Sequence, residues 1–182
     1  MKVLPYGTTE IPSVTAQCGE NADTQITLPT ELPGTAQIKV FDKSDNRLQT
    51  VYRVFLRAAS NIEIETSGAQ EGNPGENCLD DDLLTRWAVE GESWGIFRFA
   101  QPQKISSVWL ATWKAAERKL KFSIEVSEDG ENFKQVFSGK TAATKDELEE
   151  IKIPAGTYKA VKLVMHGTTT GTWNSVLEVN FK

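Results

Sequence analysis

One histidine, His166, and two cysteines, Cys18 and Cys78, are all the imidazole and thiol that 182 residues contain. That scarcity works against a Ser-His-Asp or Cys-His nucleophile and against a His-rich zinc site, because one imidazole would have to fill every role. The cysteines match no metal-ligand spacing, so two free thiols are expected, with a bridge between the two parts of the chain as the alternative. No apolar run approaches the ~18 residues that cross a bilayer. Nor does a signal peptide follow Met1 and Lys2. The turn-rich VLPYGTTEIP comes at once, which reads as the edge of a fragment and leaves the compartment open.

Basic excess is also missing. The net charge is -5, with six basic and six acidic residues before Ala59 and 14 basic against 19 acidic after it. The whole negative balance lies in the second part. Nucleic acid, which needs a basic face, is thereby disfavoured as a partner. An acidic ligand held by a local cluster of Lys and Arg is not.

What is present is alternation. TAQIKVF (35–41), TVYRVFL (50–56), IEIE (62–65), KISSVWLATW (104–113), KLKFSIEVS (119–127), FKQVF (133–137), YKAVKLVMH (158–166) and SVLEVNF (175–181) carry apolar residues at every second position. That period marks half-buried strands. Turn clusters such as LPGT, KSDN, EGNPGEN, EDGEN, PAGT and GTTTGT separate them. The fold class expected is all-β, built as sandwiches. AATKDELEEI (142–151) has helix-forming composition, yet strands flank it, and a loop followed by a strand through Glu149 to Ile153 is expected. Trp94 and Trp109 sit within strong alternation and read as core, as does Trp87.

ENCLDDDLLTRW (76–87) places Asp80, Asp81 and Asp82 side by side. Adjacent like charges repel by about 1 kcal/mol per close pair even in water. The run is either a solvated turn or the rim of a cation site.

The boundary falls at RAASN (57–61), giving domains at 1–58 and 59–182. The first, with PYGTTEIPSVTA, LPGTAQIKVFDK and a closing Tyr-x-Val-x-Phe strand, resembles the small Ig-like, cadherin-like β-sandwich modules of bacterial surface and carbohydrate-active proteins. The resemblance implies a copy lacking its first strand, hence with backbone to cover.

In the second, GNPGENCLDDDLLTRW, WGIFRF, QPQKISSVWLATW, FSIEVSEDGENFKQVFSG, YKAVKLVMHG and WNSVLEVNF follow one another. Together they resemble the discoidin, or coagulation factor 5/8 type C, domains, and among them the bacterial family 32 carbohydrate-binding modules. The resemblance implies an eight-stranded antiparallel jelly roll with a structural calcium ion. Calcium takes six to eight oxygens, carbonyls among them. Its implied ligands are the Asp80 and Glu178 carboxylates, the Asn77 and Leu177 carbonyls, Asp82 through carbonyl or carboxylate, and Thr85 through hydroxyl, carbonyl or both. Asp81 stands where the family usually has Gly, and Asp tolerates the left-handed conformation.

The same resemblance puts a sugar site in loops at one rim. WKAAERK (113–119) supplies Trp113, Lys114, Glu117 and Arg118, and HGTTTGTWN (166–174) supplies His166, Trp173 and Asn174. An aromatic face suits the C–H surface of a sugar, and planar donors fix its hydroxyls. WK with ER and HG with WN is similar to modules attached to alginate lyases and related polysaccharide lyases, which implies a uronate carboxylate meeting Lys114 and Arg118. The function expected is non-catalytic targeting of a tethered polysaccharide-degrading enzyme to its glycan, in a secreted or bacterial cell-surface protein with no membrane insertion. An adhesion module is the alternative, disfavoured by the polar loop tips TTTGT and EDGEN. A lyase would need a Tyr or His base with a carboxylate neutraliser, and Tyr6, Tyr52 and Tyr158 are placed far from the loop of His166.

Overall fold

The computed structural model of the protein describes residues 2–4, 8–58 and 61–182. Tyr6, and Ala59 and Ser60 of the expected boundary, fall outside the described residues. The chain forms two compact units, Met1–Ala59 and Ser60–Lys182.

The first unit contains β1 (Lys2–Leu4), β2 (Ala22–Thr27), β3 (Gly34–Asp42) and β4 (Gln49–Ala58). They form one sheet in the order β1-β4-β3-β2, with β1 parallel to β4 and the rest antiparallel. Ile26, Ile38 and Tyr52 stand opposite one another across three strands, so they share a face. Ala36 and Leu56 are buried, while Leu48, Val51 and Tyr52 are exposed. Among the described residues of this unit there is no second sheet, and the expected Ig-like sandwich is not evident. The reason is physical: alternation reveals that a strand has two kinds of face, not what covers the apolar one. Strand β2, ADTQIT, gave no signal because Ile26 is its only large apolar residue.

The second unit contains β5 (Ile62–Thr66), a 3-10 turn (Gly75–Leu79), β6 (Trp87–Glu90), β7 (Ser93–Thr112), β8 (Leu120–Ser127), β9 (Lys134–Lys140), β10 (Glu149–Thr168) and β11 (Trp173–Phe181). All ladders are antiparallel. Strands β7 and β10 are 20 residues each and pair along their length in three runs, the middle one joining 103–105 to 156–158. Ser93–Arg98 faces Ala160–Met165, and Ser107–Leu110 faces Glu149–Lys152, with shifted register between. The breaks hold Pro102 and Pro154, which have no N–H to give a ladder. The first stretch is flanked by β5, β8 and β9, the second by β11 and β6. One hydrogen-bonded sheet therefore folds over itself into the two layers of a jelly roll. Where eight strands were expected, the described residues of this unit form seven, two of which serve in both layers.

Trp87, Phe97, Phe122, Leu110, Ile124, Met165 and Val179 are fully buried between the layers. Each contributes about 1.5–3 kcal/mol by leaving water. Phe181 of β11 meets Phe97 and Phe99 of β7 at 5.2 and 5.1 Å between centroids, which ties one layer to the other. Gly95 is required here: a Cβ would come within 2.9 Å of the Trp87 indole. Trp87 is core as expected. Trp94 and Trp109 are not. Their neighbours Ser93, Gly95, Val108 and Leu110 point inward, so both indoles face outward, half-buried, under Lys162 and Lys182 respectively. Alternation fixes the period but not its phase.

AATKDELEEI forms no helix. The Glu149 carboxylate takes the backbone N–H groups of Ala142 and Ala143 at 2.9 Å and starts β10. Both cysteines are free, Cys18 exposed and Cys78 buried. No helix of the described residues is long and apolar enough to cross a membrane.

Candidate functional site

The acidic loop closes on itself before it reaches anything else. Asp81 has φ 57°, the left-handed turn expected of it. Its N–H donates to Glu178 Oε2 at 3.0 Å, joining the loop to β11 across 97 positions of sequence. Asp80 and Glu178 are both buried, and Asp80 Oδ1 takes the Asp82 N–H at 3.0 Å. The Thr85 hydroxyl lies 2.7 Å from Asp80 Oδ2, 3.0 Å from the Asp82 carbonyl and 3.3 Å from the Asn77 carbonyl. One O–H proton cannot satisfy three acceptors. The Asp82 carboxylate turns away to cap the Leu84 N–H at 2.9 Å, so Asp82 faces this cluster through its carbonyl. Leu177 lies at a bulge between Val176 and Glu178, where the β11–β7 ladder shifts register.

These oxygens fit a hard divalent cation. Acceptors exceed donors, two carboxylates are buried together, and carbonyls converge beside them. Among the described residues no three His, Cys, Asp or Glu side chains gather to hold a metal. The oxygen cluster described above draws on two such side chains, Asp80 of the loop and Glu178 of β11, and its remaining oxygens are carbonyls and one hydroxyl. Burial, then the charges of Asp81 and Asp80, pushes the Glu178 carboxyl up to about 9.

Loop 113–119 lies at the next turn of chain along the rim. Lys114 adopts φ 58°. The Asp146 carboxylate holds that turn by taking the N–H groups of Lys114 and Ala115 at 3.0 and 2.7 Å. Lys119 Nζ donates to the carbonyls of Ala115 and Ala143 and pins loop 142–148 beneath it. The Trp113 ring carries three cations: Arg86 at 4.5 Å from its centroid, Arg118 at 4.8 Å and Lys114 at 5.0 Å. Glu117 pairs with Lys114 at 3.4 Å. Burial, then the neighbouring Arg86, holds the Arg118 guanidinium below its ordinary pKa, against Glu117 and Asp146. The expected residues Trp113, Lys114, Glu117 and Arg118 are thus brought together. Trp113 is not a bare platform, however, since cations already lie on it. Arg86 and Asp146 were missed; both are distant in sequence, and Arg86 was hidden beside the acidic run.

The second loop forms a separate hollow of about 370 Å³ lined by Gly91, Glu92, Lys121, His166, Thr168 and Thr172, among others. His166 is exposed, with Nδ1 3.4 Å from Glu92 and Nε2 3.5 Å from Ser123 Oγ. Gly167 turns with φ 78°, and a Cβ there would meet the Gly171 carbonyl at 2.8 Å. Trp173 is 38% exposed and presents the free indole of the rim. Asn174 is fully buried. Its Oδ1 accepts from the Gly167 N–H at 2.8 Å, and its Nδ2 donates to Gly91 O and Ser93 Oγ at 2.7 and 3.1 Å. With every polar atom engaged it is scaffold, not a ligand contact; residue type suggested a sugar donor, and burial decides otherwise. The loops touch where Lys119 and Thr169 exchange backbone and side-chain hydrogen bonds of 2.9 and 3.0 Å.

The folded-over sheet, acidic loop and rim define a discoidin-like jelly roll. The F5/8 type C domain matches residues 59–179, and the chain belongs to that family. A pectin-binding carbohydrate-binding module is similar at 31% identity and TM-score 0.64, covering 68% of this chain and 91% of that one. The family 32 module of AlyQ, solved with 4,5-unsaturated mannuronic acid, is similar at 27% identity and TM-score 0.63, covering 66% and 93%. A truncated AlyQ holding that module and an alginate lyase domain aligns at 28% identity and TM-score 0.62, covering 65% of this chain and 31% of that one. A search of curated proteins finds no match.

Proposed function

We propose that the second unit is a non-catalytic carbohydrate-binding module that takes an acidic, uronate-containing glycan at the rim formed by loops 113–119 and 166–174. The observation that carries this is the group of three cations on Trp113, in a loop hydrogen-bonded through Lys119 to the loop that ends at the exposed Trp173. A uronate offers a carboxylate to the first and a C–H face to the second. The ligands of the similar modules, pectin and an unsaturated mannuronic acid, point the same way. A tethered catalytic domain would gain local concentration on its polysaccharide from even a weak site. Secretion, or display on a bacterial surface, follows from a polymeric substrate. Tyr158, whose hydroxyl donates to the Pro154 carbonyl at 2.8 Å, is committed to scaffold and does not serve as a lyase base.

Calcium belongs to the same reading. The Asp80 and Glu178 carboxylates, the carbonyls of Asn77, Asp82 and Leu177, and the Thr85 hydroxyl would hold it. When bound, the ion supplies the positive charge that the buried carboxylates lack and fastens an early loop to the last strand. A glycan array with and without chelator tests the whole. Selective retention of uronate oligomers supports it, and retention of none overturns it.

One observation favours protein adhesion. The acidic loop carries Leu83 and Leu84 at its tip, and Leu84 is 92% exposed. This tip is apolar, unlike those considered from sequence. A Leu84→Ser variant leaves glycan binding unchanged under the sugar reading; loss of cell or protein binding with glycan binding absent favours adhesion.

A further inference from the structure

Of the three cations around Trp113, one is already neutralised. Lys114 Nζ has Glu117 Oε2 at 3.4 Å. Among the described residues no carboxylate lies within ion-pair distance of Arg86 or Arg118. Asp146, the other acid nearby, is spent on the backbone of Lys114 and Ala115. Arg118 Nε donates to the Trp113 carbonyl at 3.3 Å, but its Nη2 is buried with no hydrogen-bond partner, and so is Arg86 Nε. Two half-exposed guanidiniums from different loops are held against one indole without a counter-ion. Packing alone does not account for this. A Leu or Met would cover the ring without leaving N–H groups unpaired or setting like charges together.

The backbone of Arg86 is also fixed, and its guanidinium rests on the Trp113 ring. Its carbonyl accepts from Asn77 Nδ2 at 2.9 Å, and it lies between Thr85 of the acidic loop and Trp87 of the core. The acidic loop thus aims Arg86, and the turn pinned by Asp146 and Lys119 aims Arg118. Resting on the glycan-binding reading above, we infer that Arg86 and Arg118 form a two-armed clamp for the carboxylate of an acidic sugar, with Trp113 as the pedestal that orients them. Arg86 is the specificity-determining residue of the pair. A planar guanidinium matches the two oxygens of a carboxylate, a geometry that Lys cannot reproduce. Lys114, neutralised by Glu117, is peripheral.

The test is titration calorimetry of the full chain in calcium with trigalacturonate, trimannuronate, their carboxyl-reduced neutral counterparts, and a sulfated galactan oligomer. Wild type binds the uronates about tenfold or more tighter than the neutral sugars and tighter than the sulfated one. Arg86→Met removes that preference, leaves neutral-sugar affinity within about twofold, and keeps the melting temperature; Arg86→Lys restores only part of it. Arg118→Met does the same and decides the matter should Arg86→Met fail to fold. The clamp is overturned if Arg86→Met keeps the preference, if it weakens acidic and neutral sugars equally, or if the sulfated oligomer binds best. Equal binding of acidic and neutral sugars by wild type sinks the clamp and leaves the glycan-binding reading standing. Binding of no oligosaccharide sinks both.

Discussion

Two clusters of like charge each take one member from the same stretch of chain, and they differ in burial. Asp80 and Glu178 are 5% and 3% exposed. Arg86, a few residues after Asp80, is half-exposed with Arg118. Among the described residues neither pair has a side chain of opposite sign within ion-pair distance. A buried cluster can be completed only by something small that stays, such as a dehydrated metal ion. A half-exposed one can be completed by something that comes and goes. Burial, more than residue type, therefore separates framework from recognition in this module.

The largest effect should come from emptying the buried cluster. At a thousandfold excess over Kd, a bound ion adds about 4 kcal/mol of stability, or roughly 15 °C in melting temperature for a domain of this size. Differential scanning fluorimetry with and without chelator measures it, and Asp80→Ala should abolish the difference. The pH profile sharpens the point. Glu178 is raised to about 9 in the fold, above its usual 4.5. In chelator its contribution is present below the unfolded value and is lost as pH rises through about 9, so the melting temperature should fall across that window. Calcium should flatten the slope.

Next is Asn174→Ala, placed by its burial with the framework. Three broken hydrogen bonds and an orphaned Gly167 N–H should cost about 2–3 kcal/mol in denaturant unfolding. A stable Asn174→Ala that merely loses sugar would break the division between buried and exposed. Trp173→Ala, on the exposed side, should weaken oligosaccharide binding by about fivefold to tenfold with no change in melting temperature. Smallest is Lys114→Ala: a residue answered by Glu117 should shift uronate affinity by less than about twofold.

Much of this was legible before any coordinates. The period-2 runs located most of the long strands, because in a folded-over sheet one face of every strand meets the core. The acidic loop could be read through the resemblance, since its turn, hydroxyl and core Trp sit within a dozen residues. What escaped has one cause: it depends on which distant segments meet. Arg86 reaches Trp113 only because β6 and β7 share a neighbour in β11. Asp146 arrives on a loop whose composition favours a helix. Trp94 and Trp109 show the right period in the wrong phase. Strand β2, polar and at an edge, carries little pattern at all.

Strands β7 and β10 each run through both layers of the jelly roll. No seam separates one layer from the other, so neither can peel away while its mate persists, and melting of this unit should register as a single event. The rim, by contrast, hangs on short connections between strands that are already committed. Surgery on those connections can reshape what the protein grips while the barrel-like body stays deaf to the change.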